Sequence, residues 1–117
     1  MTDQWPSVLV VEDDPSLRLL CRVNLELDQF HVREAATIDA ARAAVDEGRP
    51  DVVLLDVHLD GLASDKLLEE LRASGIPVVV VTGSADLAQY RDRADEVLGK
   101  PFEPDALVAA ARRHCVR

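Results

Sequence analysis

The residues of this chain best equipped for chemistry are mostly acidic, and they stand where apolar runs end. Glu12, Asp13 and Asp14 follow residues 8–11, Asp56 follows residues 52–55, Thr82 with Gly83 and Ser84 follows residues 78–81, and Lys100 with Pro101 follows a weaker stretch at 96–98. Carboxylates gathered at one place repel one another by roughly 1 kcal/mol per pair or more. A hard divalent cation removes that cost, and Mg²⁺ in particular takes a few carboxylates together with water and phosphate oxygens. The set therefore reads as equipment for phosphoryl transfer to a carboxylate. Asp56 is the nucleophile that forms an acyl phosphate, and the cation binds an incoming phosphoryl oxygen and offsets its developing charge. Lys100 supplies positive charge from the other side, the Thr82 hydroxyl donates to a phosphate oxygen, and Gly83 leaves the approach open.

Such a set works only if strands and helices bring it together. Residues 8–11, 52–55 and 78–81 are short, β-branched and continuous in their apolar character, as strands buried on both faces are. Weaker strands are expected at 30–34 and 96–98. Between them the spacing predicts a helix from Pro15 to about Asp28, with Asp14 as N-cap, Pro15 at the first position and Leu17, Leu20, Cys21 and Leu25 on one face. A second helix at 37–47 ends before Gly48 and turns Ile38, Ala41 and Val45 inward. A third at 64–74 offers Leu67, Leu68 and Leu71 and ends at Gly75. The last runs from Pro104 to about Cys115 and carries Leu107, Ala110 and Ala111 inward, while residues 86–93 make at most a short helix. Five alternations of strand and helix imply an α/β fold, a parallel sheet covered on both faces. In such sheets ligands bind beyond the carboxyl ends of the strands, where all the candidates lie.

Composition sets the outer bounds. The 117 residues suffice for one domain, here residues 1–117, and 48% hydrophobic content with a mean hydropathy of −0.01 is ordinary for a globular protein. Aromatic residues make up only 3% of the chain, too few for a platform that stacks nucleic-acid bases. A formal net charge of −9 would repel a phosphate backbone, so direct nucleic-acid binding is not expected. Cys21 and Cys115 have no metal-ligand spacing and are expected to be reduced, buried thiols. No basic start precedes an apolar run, and the apolar runs are short, so a cytoplasmic location is expected.

The stretches VLVVEDDP, PDVVLLDVHL, PVVVVTG and GKPF resemble, in order and at near-family spacing, the four blocks of the bacterial response-regulator receiver domain, and the resemblance covers essentially the whole chain. It implies a flavodoxin-like, doubly wound five-stranded parallel sheet in the order 2-1-3-4-5 with five helices. Residue by residue it implies Asp56 as phosphoacceptor and Thr82 and Lys100 as the groups that meet the phosphoryl group. It further implies Asp13 as direct Mg²⁺ ligand, Glu12 as a ligand through water, and the backbone carbonyl of His58 as a third protein ligand. The donor would be a phosphohistidine on a sensor histidine kinase or a histidine phosphotransfer protein. Three departures stand out. Asp60 and Gly61 replace the usual proline after the acceptor, Val97 replaces the aromatic residue before the lysine, and the span from Thr82 to Lys100 is short, which points to a stunted fourth helix. These features resemble a stand-alone variant class, with no output domain and a monomeric state expected. Because a valine cannot swing as an aromatic ring does, the signal should leave through the loops after Asp56 and Thr82 and through the short helix.

Each feature has a plainer reading when taken singly. Glu12, Asp13 and Asp14 could be a helix start, Asp60 a solvated turn, Thr82 a strand end and Lys100–Pro101 a surface loop. His58 reads as a side chain at the rim, placed so that it could tune attack of water on an acyl phosphate. His31 and His114 read as structural, and Trp5 as packed on the sheet edge. The function expected is that of a single-domain phosphoacceptor, signalling by protein contact or acting as a phosphate sink, and not an enzyme with an external substrate. The alternatives are a phosphorylation-independent, receiver-like interaction module and a small phosphatase. The phosphatase lacks support because His58, not an acid, stands two residues after Asp56.

Overall fold

The computed structural model of the chain describes residues 4–59 and 62–116, so the expected turn at Asp60 and Gly61 lies outside the described residues. Strands β1 (Ser7–Val11), β2 (His31–Ala35), β3 (Val52–Asp56), β6 (Val78–Gly83) and β7 (Glu96–Lys100) form one parallel sheet in the order β2-β1-β3-β6-β7. The remaining strands, β4 (His58–Leu59) and β5 (Leu62–Ala63), pair antiparallel in a small ribbon beyond the end of β3. With that ribbon set aside, the order is the expected 2-1-3-4-5.

The sheet holds because its three central strands bury alternate side chains on opposite faces. Leu9, Val11, Val53, Leu55, Val78 and Val80 face one way. They pack with Ala41 of α2 (Ile38–Glu47), with Leu67, Leu68 and Leu71 of α3 (Asp65–Ala73), and with Tyr90. Val8, Val10, Val52, Leu54, Val79 and Val81 face the other way, against Cys21 and Leu25 of α1 (Pro15–Leu27) and Leu107, Ala110 and Ala111 of α5 (Pro104–His114). Each buried Val or Leu contributes on the order of 2 kcal/mol relative to exposure, so these two layers dominate the stability of the fold.

The N-cap expected of Asp14 forms, and Thr37 caps a second helix. The Asp14 carboxylate accepts from the Ser16 N–H at 2.9 Å at the start of α1, and the Thr37 hydroxyl accepts from the Ala40 N–H at 3.0 Å at the start of α2. After α3 the chain reverses at Gly75, whose φ of 77° is open to glycine at little cost. The fourth helix is stunted as expected: a 3₁₀ turn, Ser84–Asp86, leads into α4 (Leu87–Tyr90), a single turn. Trp5 stacks near the His31 ring of edge strand β2, with centroids 5.3 Å apart.

Two expectations need correction. Leu20 does not face the core but is 41% exposed, because the inward stripe of α1 runs through Cys21 and Leu25. Cys115 is half-buried, since α5 ends at His114 and leaves Cys115 as its C-cap; Cys21 is buried as expected, and burial pushes its thiol up to about 12. His114 is structural as expected: its Nε2 lies 2.8 Å from Glu96 Oε1 and ties α5 to β7.

Candidate functional site

The parallel registers fix the site before any side chain is considered. Val11 lies beside Leu55, Asp56 beside Val81, and Gly83 beside Lys100, so the carboxyl ends of β1, β3, β6 and β7 open at one level. Glu12 continues β1 by donating its N–H to the Ala35 carbonyl at 3.0 Å. The sheet thus delivers its acidic residues and its lysine to a single mouth.

Asp56 is 6% exposed and lies at the centre. Its Oδ1 accepts from the His58 N–H at 3.1 Å, its Oδ2 lies 3.2 Å from Lys100 Nζ, and its backbone carbonyl accepts from the buried Ser64 hydroxyl at 2.8 Å. Lys100 Nζ also donates to Glu12 Oε1 at 3.2 Å, so one ammonium spans two carboxylates. Glu12, Asp13 and Asp56 each offer an oxygen within 4.8 Å of the others. That spread of hard oxygen donors fits a small divalent cation after slight closure, and the donor set is the oxygen-only kind that Mg²⁺ takes.

The electrostatics agree. Burial pushes the Glu12 carboxyl up to about 7; the Asp14 N–H on its Oε2 at 3.1 Å opposes this, the charge of Asp56 adds to it, and Lys100 works against it. Burial also works against the charge on Lys100, but Asp56 and Glu12 outweigh it and hold the ammonium above its ordinary value. A strongly held cation between two carboxylates, one of them reluctant to ionise, is a pocket that gains from more positive charge.

Glu12, Asp13, Asp56 and Lys100 are therefore brought together. Thr82 lies at the same mouth and is 1% exposed, but its hydroxyl donates to Asp86 Oδ2 at 3.4 Å. The same Asp86 oxygen lies 3.1 Å from Nε2 of His58, whose side chain is 56% exposed, as expected of a rim residue. Gly83 is open as expected: a Cβ there would meet nothing within 4 Å. Sequence reasoning missed Ser64, Asp86 and Arg18, whose guanidinium donates to the Glu12 carbonyl at 2.9 Å. For Asp86 the available signal was its place one helical turn after Thr82.

Comparison with known proteins follows the same lines. The family model described as the response regulator receiver domain matches residues 8–112. The DNA-binding response regulator MtrA of Mycolicibacterium smegmatis is 38% identical over 110 residues, which cover 90% of this chain and 48% of that protein. The chain thus spans about half the length of the curated relatives it matches. Among solved structures, the receiver domain of NtrX from Brucella abortus superposes with a TM-score of 0.84 at 31% identity, covering 92% of this chain and 96% of that one. A putative response regulator from Chloroflexus aurantiacus gives a TM-score of 0.86 at 26% identity, covering 97% of this chain and all of that one. Because curated relatives about twice as long as this chain are described as DNA-binding, the expectation that no nucleic acid is involved has no support beyond the charge of the chain. Among the described residues, no helix is long and apolar enough to cross a membrane.

Proposed function

The chain belongs to the response regulator receiver domain family, and from that premise we propose that it accepts a phosphoryl group onto Asp56 from the phosphohistidine of a sensor kinase or phosphotransfer protein in the cytoplasm. The observation that carries this reading is the setting of Asp56. Its carboxylate is nearly buried, oriented by a backbone N–H and faced by Lys100, with two further carboxylates within cation-binding reach.

An oxygen of Asp56 attacks the phosphorus, the P–N bond to the donor imidazole breaks, and the electron pair leaves with the imidazole nitrogen, which takes a proton from solvent. Asp13 and Asp56, with the His58 carbonyl and with Glu12 through water, would hold a Mg²⁺ ion whose charge offsets that of the phosphoryl oxygens. Lys100 turns from the carboxylates to a phosphoryl oxygen, and the Thr82 hydroxyl donates to another. Ser64 and the His58 N–H keep the Asp56 carboxylate aimed at the mouth throughout. Hydrolysis later returns the carboxylate and inorganic phosphate. The domain turns over no external substrate of its own.

Acetyl phosphate with Mg²⁺, followed by intact mass measurement, tests this directly. A gain of one phosphoryl group is expected, absent in Asp56→Asn and lost on chelation of the metal. No gain in the wild-type protein would overturn the reading in favour of a contact-only module, and steady phosphate release from varied esters would favour a phosphatase.

A further inference from the structure

The Thr82 hydroxyl is nearly buried and has one proton to donate. It gives that proton to Asp86, not to Asp56. Asp86 is 32% exposed and has a second hold on the site through the His58 ring. Both of its partners are wired to the acceptor: His58 donates its backbone N–H to Asp56 Oδ1, and Thr82 follows Val81, the residue of β6 paired beside Asp56. Asp86 also closes the 3₁₀ turn that carries α4. That short helix is fixed at two further points. The space a Cβ of Gly99 would occupy lies 3.3 Å from Leu87 Cδ1, so Leu87 lies closely against β7, and the Tyr90 hydroxyl donates to Asp65 Oδ1 at 2.6 Å.

We propose that Asp86 is a latch: in the unphosphorylated protein it holds the Thr82 hydroxyl and the His58 ring together, and a phosphoryl group on Asp56 takes the hydroxyl from it and loosens residues 84–90. The inference rests on the proposed phosphorylation of Asp56. A hydroxyl cannot donate fully to two acceptors, and a phosphoryl group carries more charge than the solvent-facing carboxylate of Asp86. The two contacts therefore exclude each other. Losing the latch leaves the segment on its anchors at Leu87 and Tyr90, and it moves by local loosening, with no aromatic ring at position 97 needed. Asp86 is here a positioning residue that acts through Thr82.

The test is hydrogen exchange read peptide by peptide, in Mg²⁺ with and without acetyl phosphate, alongside intact mass. In the wild-type protein, exchange across residues 84–90 is expected to quicken roughly fivefold on phosphorylation, about what the loss of one ordinary hydrogen bond allows. Asp86→Ala should exchange fast before phosphodonor is added and should not respond to it. Asp86→Asn keeps an oxygen for the hydroxyl and should still respond. Asp86→Ala is also expected to take up phosphate about threefold faster, an effect that vanishes when Thr82→Val is already present. A purely structural role for Asp86 would not make its effect depend on the Thr82 hydroxyl. Should phosphate be taken up on Asp56 while exchange at 84–90 stays unchanged, the latch is overturned and the receiver reading stands. No uptake at all would overturn both. If Asp86→Ala does not fold, the wild-type and Asp86→Asn exchange data still decide.

Discussion

A carboxyl group as enclosed as that of Glu12, 4% exposed, ionises against its surroundings, so it is better suited to holding a cation than to stabilising the fold. Its value in the folded chain, about 7, lies above the ordinary 4.5. Between those two values the folded protein keeps a proton that the unfolded chain has lost, so the contribution of Glu12 to stability falls as pH climbs from 4.5 towards 7 and then levels. The Lys100 ammonium, held above its ordinary 10.5, stays charged across that window and adds no slope of its own. Glu12→Gln removes the ionisable group. In the metal-free protein it is expected to gain on the order of 2 kcal/mol over wild type at pH 8, with the advantage shrinking towards nothing near pH 5. Urea midpoints in chelator at the two pH values measure this, and parallel pH slopes for the two proteins would contradict it. The same substitution should weaken cation binding, so stability and function pull in opposite directions at this one side chain.

At the scale of elements, α4 is the part whose existence depends on tertiary anchors. Four residues cannot hold a helix alone in water. Tyr90, buried in the same layer as Val97, supplies the anchor, with its hydroxyl on Asp65 and the Arg93 guanidinium over its ring. That hydrogen bond is the largest influence keeping the Asp65 carboxyl below its ordinary value, and burial followed by the same bond raises the Tyr90 phenol to about 12. Tyr90→Phe retains the ring and removes the donor. It should cost about 1 kcal/mol and lower the melting temperature by about 4 °C, with strand and helix content unchanged by circular dichroism. A melting point equal to wild type would show that packing alone holds the segment. The strands of the sheet and four of the helices could be read from sequence because their signals are local: continuous Val and Leu runs, Asp14 as a cap, glycine past a helix end. The gathering of Asp56, Glu12, Asp13 and Lys100 could be read because phosphoryl-transfer chemistry would require those residue types at strand ends. The ribbon of β4 and β5 could not, since two-residue strands carry no periodicity, and neither could the role of Asp86, which depends on a 3₁₀ turn bringing it back over Thr82. The exposure of Leu20 was missed because helical spacing alone leaves the edge of the apolar stripe ambiguous by one position.

For the molecule as a whole, the parallel sheet gathers acidic side chains at one end of a chain that already carries a net charge of −9. The unliganded fold therefore stores repulsion where the sheet opens, and a cation bound there should stabilise every element at once, because strands β1, β3, β6 and β7 all end on it. Binding confined to the folded state raises stability by RT ln(1 + [L]/Kd), about 1.4 kcal/mol at ten times the dissociation constant. Mg²⁺ at that excess should raise the melting temperature by about 5 °C. NaCl at matched ionic strength screens the general charge without filling the site and should give clearly less. Asp13→Asn makes the argument specific. By removing one of three crowded carboxylates it should leave the metal-free protein as stable as wild type or more so, yet abolish most of the Mg²⁺ increment. If Asp13→Asn kept the full response to Mg²⁺, the stabilisation would come from diffuse charge, and the acidic cluster at the mouth of the sheet would not be where the ion binds.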